Sequence, residues 1–137
     1  MELFRSLGIS ASGLTAQRIR MDVIANNIAN ATTTRDAEGK PYRRKVPVFA
    51  ETFEETLAGV RPQGVRVAEI RQDPSPFRYV YEPGHPDADE NGYVAYPNVN
   101  VVREMVDLMG AGRAYEANVT MLNAAKEMFR SALSIGR

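Results

Sequence analysis

Leu7, Leu14, Met21 and Ile28 stand seven residues apart near the start of this chain. A second apolar stripe of Val101, Met105, Leu108, Tyr115, Val119, Leu122, Phe129 and Leu133 runs through its last forty residues. Apolar residues recurring every 3.5 positions keep one narrow seam facing a neighbour and ask for a left-handed supercoil. With a seam at each end, the chain reads as helix, a different middle, and helix. Each seam requires a partner, which is either the other helix or another copy.

The first helix is predicted from near Glu2 to about Ala29, with Ile24 joining the seam and the polar Ser10 and Gln17 lying within it. Polar residues at such positions set register and choice of neighbour. Asn26, Asn27 and Asn30 with Thr32, Thr33 and Thr34 end the pattern, because their side chains compete for backbone hydrogen bonds. A polar bend is therefore expected there. The last helix is expected to start at an N-cap on Asn98 or Asn100 and to stop at Gly136.

All eight prolines fall between Pro41 and Pro97, which makes the middle strand and turn territory. Tyr42 to Phe49, Val65 to Ile70, Phe77 to Tyr81 and Tyr93 to Tyr96 read as strands, with Pro47 marking an edge. Ala50 to Leu57 suits either a helical turn or a strand. The predicted class is α+β, with long N- and C-terminal helices packing as a coiled coil and a small β-rich middle domain. Residues 1–34 and 98–137 form the expected helical assembly domain, and residues 35–97 the expected outer domain.

Seventeen basic residues balance seventeen acidic ones, and no segment is a strongly charged arm. Nucleic acid and anionic lipid are thus not expected partners, since both need surplus positive charge. The absence of cysteine removes disulfides, thiolate metal sites and cysteine nucleophiles. The N-terminus lacks the apolar run of a signal peptide, and nothing approaches the roughly 20 apolar residues of a membrane span. Asp87, Asp89, Asn91 and Gly92 match the start of an EF-hand loop, but its twelfth position, which should be glutamate, is Asn98. A turn before Tyr93 is the expected structure. His85 has no second histidine or cysteine to share a metal. The one basic cluster, Arg43, Arg44 and Lys45, reads as an exposed strand face suited to an acidic patch on a neighbouring protein. No catalytic, cofactor-binding or metal-binding residues emerge, no small-molecule substrate is indicated, and the chain is not expected to be an enzyme.

The run Ile24-Ala25-Asn26-Asn27-Ile28-Ala29-Asn30-Ala31-Thr32 resembles the N-terminal signature of the bacterial flagellar axial proteins, the rod, hook and hook-associated group. Arg113-Ala114-Tyr115-Glu116-Ala117-Asn118-Val119 resembles the matching signature near their other end. The stretch from Gly92 to Met105, with Tyr93, Tyr96, Pro97 and Asn98, is similar to the proximal rod members of that family. The resemblance implies a structural subunit of the basal-body proximal rod. Its terminal helices would form an inner coiled-coil layer around the axial export channel, and the hollow shaft would transmit motor torque. It also implies export without a cleaved signal, assembly in the periplasmic space, and contacts with copies of itself, other rod proteins, the export gate and ring components. The assembly interface is expected at Leu7, Leu14, Met21, Ile24, Ile28, Met105, Leu108, Tyr115, Val119, Leu122, Phe129 and Leu133. Another proximal rod subunit, or a coiled-coil adaptor for a different partner, is the alternative.

Overall fold

A computed structural model of the chain describes residues 2–57 and 59–136, with side chains from Phe4 onward. Helix α1 spans Glu2–Ala29 and helix α2 spans Val101–Ile135. Between them lie strands β1 (Lys45–Thr56), β2 (Gly59–Gln72), β3 (Arg78–Tyr81) and β4 (Tyr93–Tyr96). The helices pack against each other within one chain.

Both helix ends follow the expected chemistry. Asn30 donates its backbone N–H and its side-chain Nδ2 to the carbonyl of Asn26, at 3.1 and 2.9 Å, which closes α1 at the polar bend. Asn100 is the N-cap of α2, its Oδ1 accepting from the Arg103 N–H at 3.1 Å. Asn98, the other N-cap candidate, is used elsewhere. Gly136 ends α2 with φ −82°, without the left-handed conformation that glycine alone adopts freely.

The seam on α2 differs in half of its positions from the apolar stripe. Leu108, Tyr115, Leu122 and Phe129 do line the helix pair, alternating at intervals of three and four with Glu104, Ala111, Asn118 and Ala125. Of these eight, Glu104, Ala111 and Ala125 are buried. Met105 and Leu133 are 50% and 59% exposed, and Val119 is half-buried. Large apolar neighbours had masked the true positions, where small residues let the helix backbones approach. At Gly13 even a methyl group would come within 3.1 Å of the Asn118 side chain. Towards the chain termini Phe4 meets Phe129 edge to face at 5.8 Å.

The middle forms two separate two-stranded antiparallel sheets, β1–β2 and β3–β4. The β1–β2 ribbon is longer than the expected strands because Ala50 to Thr56 continues β1 and Gly59 to Gly64 opens β2. The irregularity at Thr52/Phe53 leaves Gln63 unpaired between Pro62 and Gly64, and the one at Val48/Phe49 leaves Ala68 unpaired. Pairing across the ribbon thus decides the conformation that local propensity left open.

The ribbon lies along α1, where Ser12 Oγ accepts from the Val65 N–H at 3.1 Å and donates to the Ile9 carbonyl at 2.7 Å. Gly64 has φ +133°, and a Cβ there would overlap Ser12 Oγ. Replacing Gly64 by alanine is expected to lower stability by about 1–3 kcal/mol, read as a reduced urea midpoint at unchanged m. A loss under about 0.3 kcal/mol would mean that the crossing is soft.

In the β3–β4 hairpin Val94 is fully buried, while Tyr79, Tyr81 and Tyr93 share the exposed face. Tyr93 packs on Tyr81 at 5.3 Å. The expected turn precedes β4: Asp89 Oδ1 accepts from the N–H groups of Asn91 and Tyr93, and Gly92 has φ +83°. Asp87, the first residue of the EF-hand-like run, accepts from Thr34 Oγ1 at 2.8 Å and pairs with Arg35. His85 Nδ1 accepts from the Asp87 N–H at 3.0 Å. This loop therefore ties the bend after α1 to the β3–β4 hairpin.

Candidate assembly interface

Beneath the helix pair is a polar hub built from four distant pieces of sequence. Asn27, 1% exposed, uses all of its hydrogen-bonding capacity there. Its Nδ2 donates to the Lys45 carbonyl at 2.8 Å and to Glu104 Oε2 at 3.0 Å. Its Oδ1 accepts from the Lys45 N–H and from the Tyr42 hydroxyl, both at 2.9 Å. The amide therefore engages both backbone groups of Lys45 much as a neighbouring strand would.

Glu104, also 1% exposed, receives the Arg44 Nε–H at 2.5 Å on its other oxygen. Arg44 further donates Nη1 to Asp73 at 3.1 Å, and its backbone N–H donates to Asn98 Oδ1 at 2.8 Å. Burial opposes the charge of Arg44. Hydrogen bonding and attraction to Glu104, then to Asp73, outweigh that and hold its pKa above the ordinary arginine value. The Ser75 hydroxyl and N–H donors, followed by Arg44, hold Asp73 below the usual carboxylate range. Arg43 and Asn98 both donate to the carbonyls of Asp73 and Ser75, and Arg43 lies 4.2 Å over the Phe77 ring.

The basic cluster is thus not a free docking face. Arg43 and Arg44 are consumed inside the chain, and only Lys45 is exposed, 5.8 Å from the Tyr42 ring. Charge balance could not reveal this, because the acidic partners lie 29 to 60 positions away. The usable signal was positional: Glu104 falls seven residues before Ala111, in phase with the packed seam.

Burial first, and then the charge of Glu104, push the Tyr42 hydroxyl above the ordinary tyrosine range. Between the ordinary pKa near 10 and the raised folded value, the native chain keeps a proton that the unfolded chain has lost. Stability from this group is complete below about pH 10 and falls as pH rises through the folded pKa. A Tyr42→Phe variant is expected to lose less stability than the parent between about pH 9.5 and 11.5 in urea titrations. Equal losses would remove Tyr42 as the alkaline group.

Above the hub, α2 carries a second apolar face that the sequence reading passed over. Val102, Val106, Met109, Met121, Met128 and Ile135 are all exposed large apolar side chains. The signal was present: Val102 and Met109 are seven apart, as are Met121, Met128 and Ile135. A helix with apolar residues on both flanks is suited to burial between neighbours.

The remaining motif residues divide between these regions. Asn26 Oδ1 lies 2.9 Å from the Tyr42 hydroxyl and shares its single proton with Asn27, and Asn30 Oδ1 accepts from Thr33 Oγ1 at 3.2 Å. Tyr96 donates to Glu82 at 3.0 Å, and Pro97 is buried. Asn118 donates to the Ala114 carbonyl at 3.0 Å, and Arg113 is exposed. Leu7, Leu14, Met21 and Ile28 are half-buried, and Ile24 is buried.

Comparison with known proteins decides the family. The profile of flagella basal body rod proteins matches residues 7–35, and that of the flagellar basal body rod FlgEFG protein C-terminal region matches residues 90–135. The chain is 47% identical to the flagellar basal-body rod protein FlgC of Bacillus subtilis over the full length of both. It belongs to the FlgC family of flagellar rod proteins. FlgC of Borreliella burgdorferi is 50% identical over 98% of each chain. FlgC of Escherichia coli O6:H1 is 44% identical over the whole of both. Membership in the FlgC family makes the chain a structural subunit of the basal-body rod. No helix among the described residues is long and apolar enough to cross a membrane.

Proposed function

We propose that this rod subunit polymerises through its terminal helices into the proximal part of a hollow shaft that encloses an export channel and transmits torque. The α1–α2 seam, from Leu7 and Ile24 to Leu122 and Phe129, holds each subunit's helices together. The face of Val102, Met109, Met121 and Met128 packs on neighbours, together with the exposed Met105 and Leu133. Repeated contacts whose rotation does not close build a helical tube. The observation carrying this reading is that second, uncovered apolar face on a helix whose first face is already paired.

In the same proposal the chain leaves the cytoplasm through the flagellar export apparatus without a cleaved signal and assembles in the periplasmic space. Its neighbours there are copies of itself, other rod proteins, the export gate and ring components. It performs no catalysis and needs no cofactor. Residues 1–34 and 98–137 serve as the assembly unit, and residues 35–97 as an outer unit fixed to it by the hub.

Leu122→Asp is the direct test, because a carboxylate in an apolar seam costs far more than the seam gains there. Rod assembly and swimming are expected to be lost, while the exported chain is still detected outside the cytoplasm. Swimming at the parental rate would sink the packing scheme.

A further inference from the structure

Two apolar features stay open once the helix pair and the hub have formed. The first is an apolar groove of about 450 Å³ at the end of the helix pair near the chain termini, lined by Phe4, Leu7, Ala11, Leu122, Phe129 and, at its rim, Lys126. The second is the free tip of the β1–β2 ribbon, where Phe53, Leu57 and Val60 are all exposed. The strands leading to it are already held by pairing and by Thr56 Oγ1 donating to the Gly59 carbonyl at 2.8 Å. Docking it sacrifices little conformational freedom.

The two features are complementary in charge. Among the described residues Lys126 pairs with no carboxylate, and Glu51 and Glu55 on the outer half of β1 pair with no cation. A chain's own tip does not line its own groove. The ribbon crosses α1 at Ile9 and Ser12, whereas the groove opens between Leu7, Ala11 and α2. The tip is therefore available to another copy.

We propose that the ribbon tip of one subunit seats in the helix-end groove of a second copy, Leu57 entering between Leu7, Leu122 and Phe129 while Glu55 approaches Lys126. Donor and acceptor surfaces differ, so the contact is head-to-tail and propagates instead of closing as a dimer. This deepens the rod-subunit reading and rests on it for its setting.

The chain contains no cysteine, which makes cross-linking clean. Full-length Leu57→Cys chains are mixed with Ala11→Cys chains and oxidised. As a control, Leu57→Cys is mixed with Ala124→Cys, whose cysteine lies on an exposed part of α2. The tip-to-groove disulfide is expected to form at least about tenfold faster than the control, a difference of about 1.4 kcal/mol in barrier. Lys126→Glu is expected to abolish that preference, and adding Glu55→Lys to restore it, which separates docking from misfolding. Equal rates for the two pairs would overturn the proposal, as would Ala11→Cys capturing a different rod protein in cells instead of this chain. Rod assembly is read separately through Ala111→Asp, at a buried seam position outside the groove, so equal rates with assembly lost in that variant would remove the tip contact and leave the rod assignment standing.

Discussion

Arg44→Met is expected to destabilise the chain by about 3–5 kcal/mol, the usual result of leaving a buried carboxylate without its cation. Glu104 is 1% exposed, and its second oxygen receives only Arg44. Asp73 would lose the same partner. Since domains of this size are stable by only about 5–15 kcal/mol, the loss takes a large share of the total. Arg44→Lys should fall between the two, because an ammonium cannot reach Glu104 and Asp73 in the two directions that the guanidinium spans. Urea unfolding of both variants, with Arg61→Met on the exposed ribbon as control, checks this. A loss below about 1 kcal/mol for Arg44→Met would show that water reaches Glu104 and that the hub contributes little.

Asn27→Ala is the second large effect. It strips partners at once from the Lys45 N–H, the Lys45 carbonyl and one oxygen of Glu104, while the Tyr42 hydroxyl keeps Asn26. Each buried polar group left unsatisfied costs about 1–3 kcal/mol, and neighbours in one network do not add simply. A total near 3–4 kcal/mol is expected. Hydrogen exchange distinguishes the cause: the Lys45 amide should lose protection in Asn27→Ala, while amides in the middle of α2 keep theirs. Uniform loss across the chain would instead point to global destabilisation without a local role for Asn27.

Those two residues mark the limit of what the sequence discloses. The helix bounds, the turn before Tyr93 and strand β4 are governed by neighbours a few positions away and are legible in linear order, as is the N-cap down to a choice between Asn98 and Asn100. The seam is half legible. Sevenfold spacing identifies Leu108, Tyr115, Leu122 and Phe129, but its alternate positions hold Glu104, Ala111, Asn118 and Ala125, chosen for closeness and hydrogen bonding more than for hydrophobicity. The ribbon's full length is decided by pairing between residues such as Phe53 and Pro62, which no local propensity encodes. Arg44 looked like a surface charge because its partners are distributed over sixty positions. Asn27 belonged to a recognised motif, yet nothing in the motif says which four groups it holds.

The hub also dictates when the chain can become itself. Its parts come from Asn27, from Tyr42 to Lys45, from Asp73 and Ser75, and from Asn98 to Glu104. A polypeptide emerging end first from a narrow conduit cannot complete this set until everything through Glu104 has appeared, or everything back to Asn27 if the other end leads. Until then the arginine and the glutamate remain hydrated strangers on separate stretches of chain. On the export route proposed above, the same bonds that fix the finished subunit would be unavailable to jam it in transit, and the order in which residues arrive would separate threading from folding.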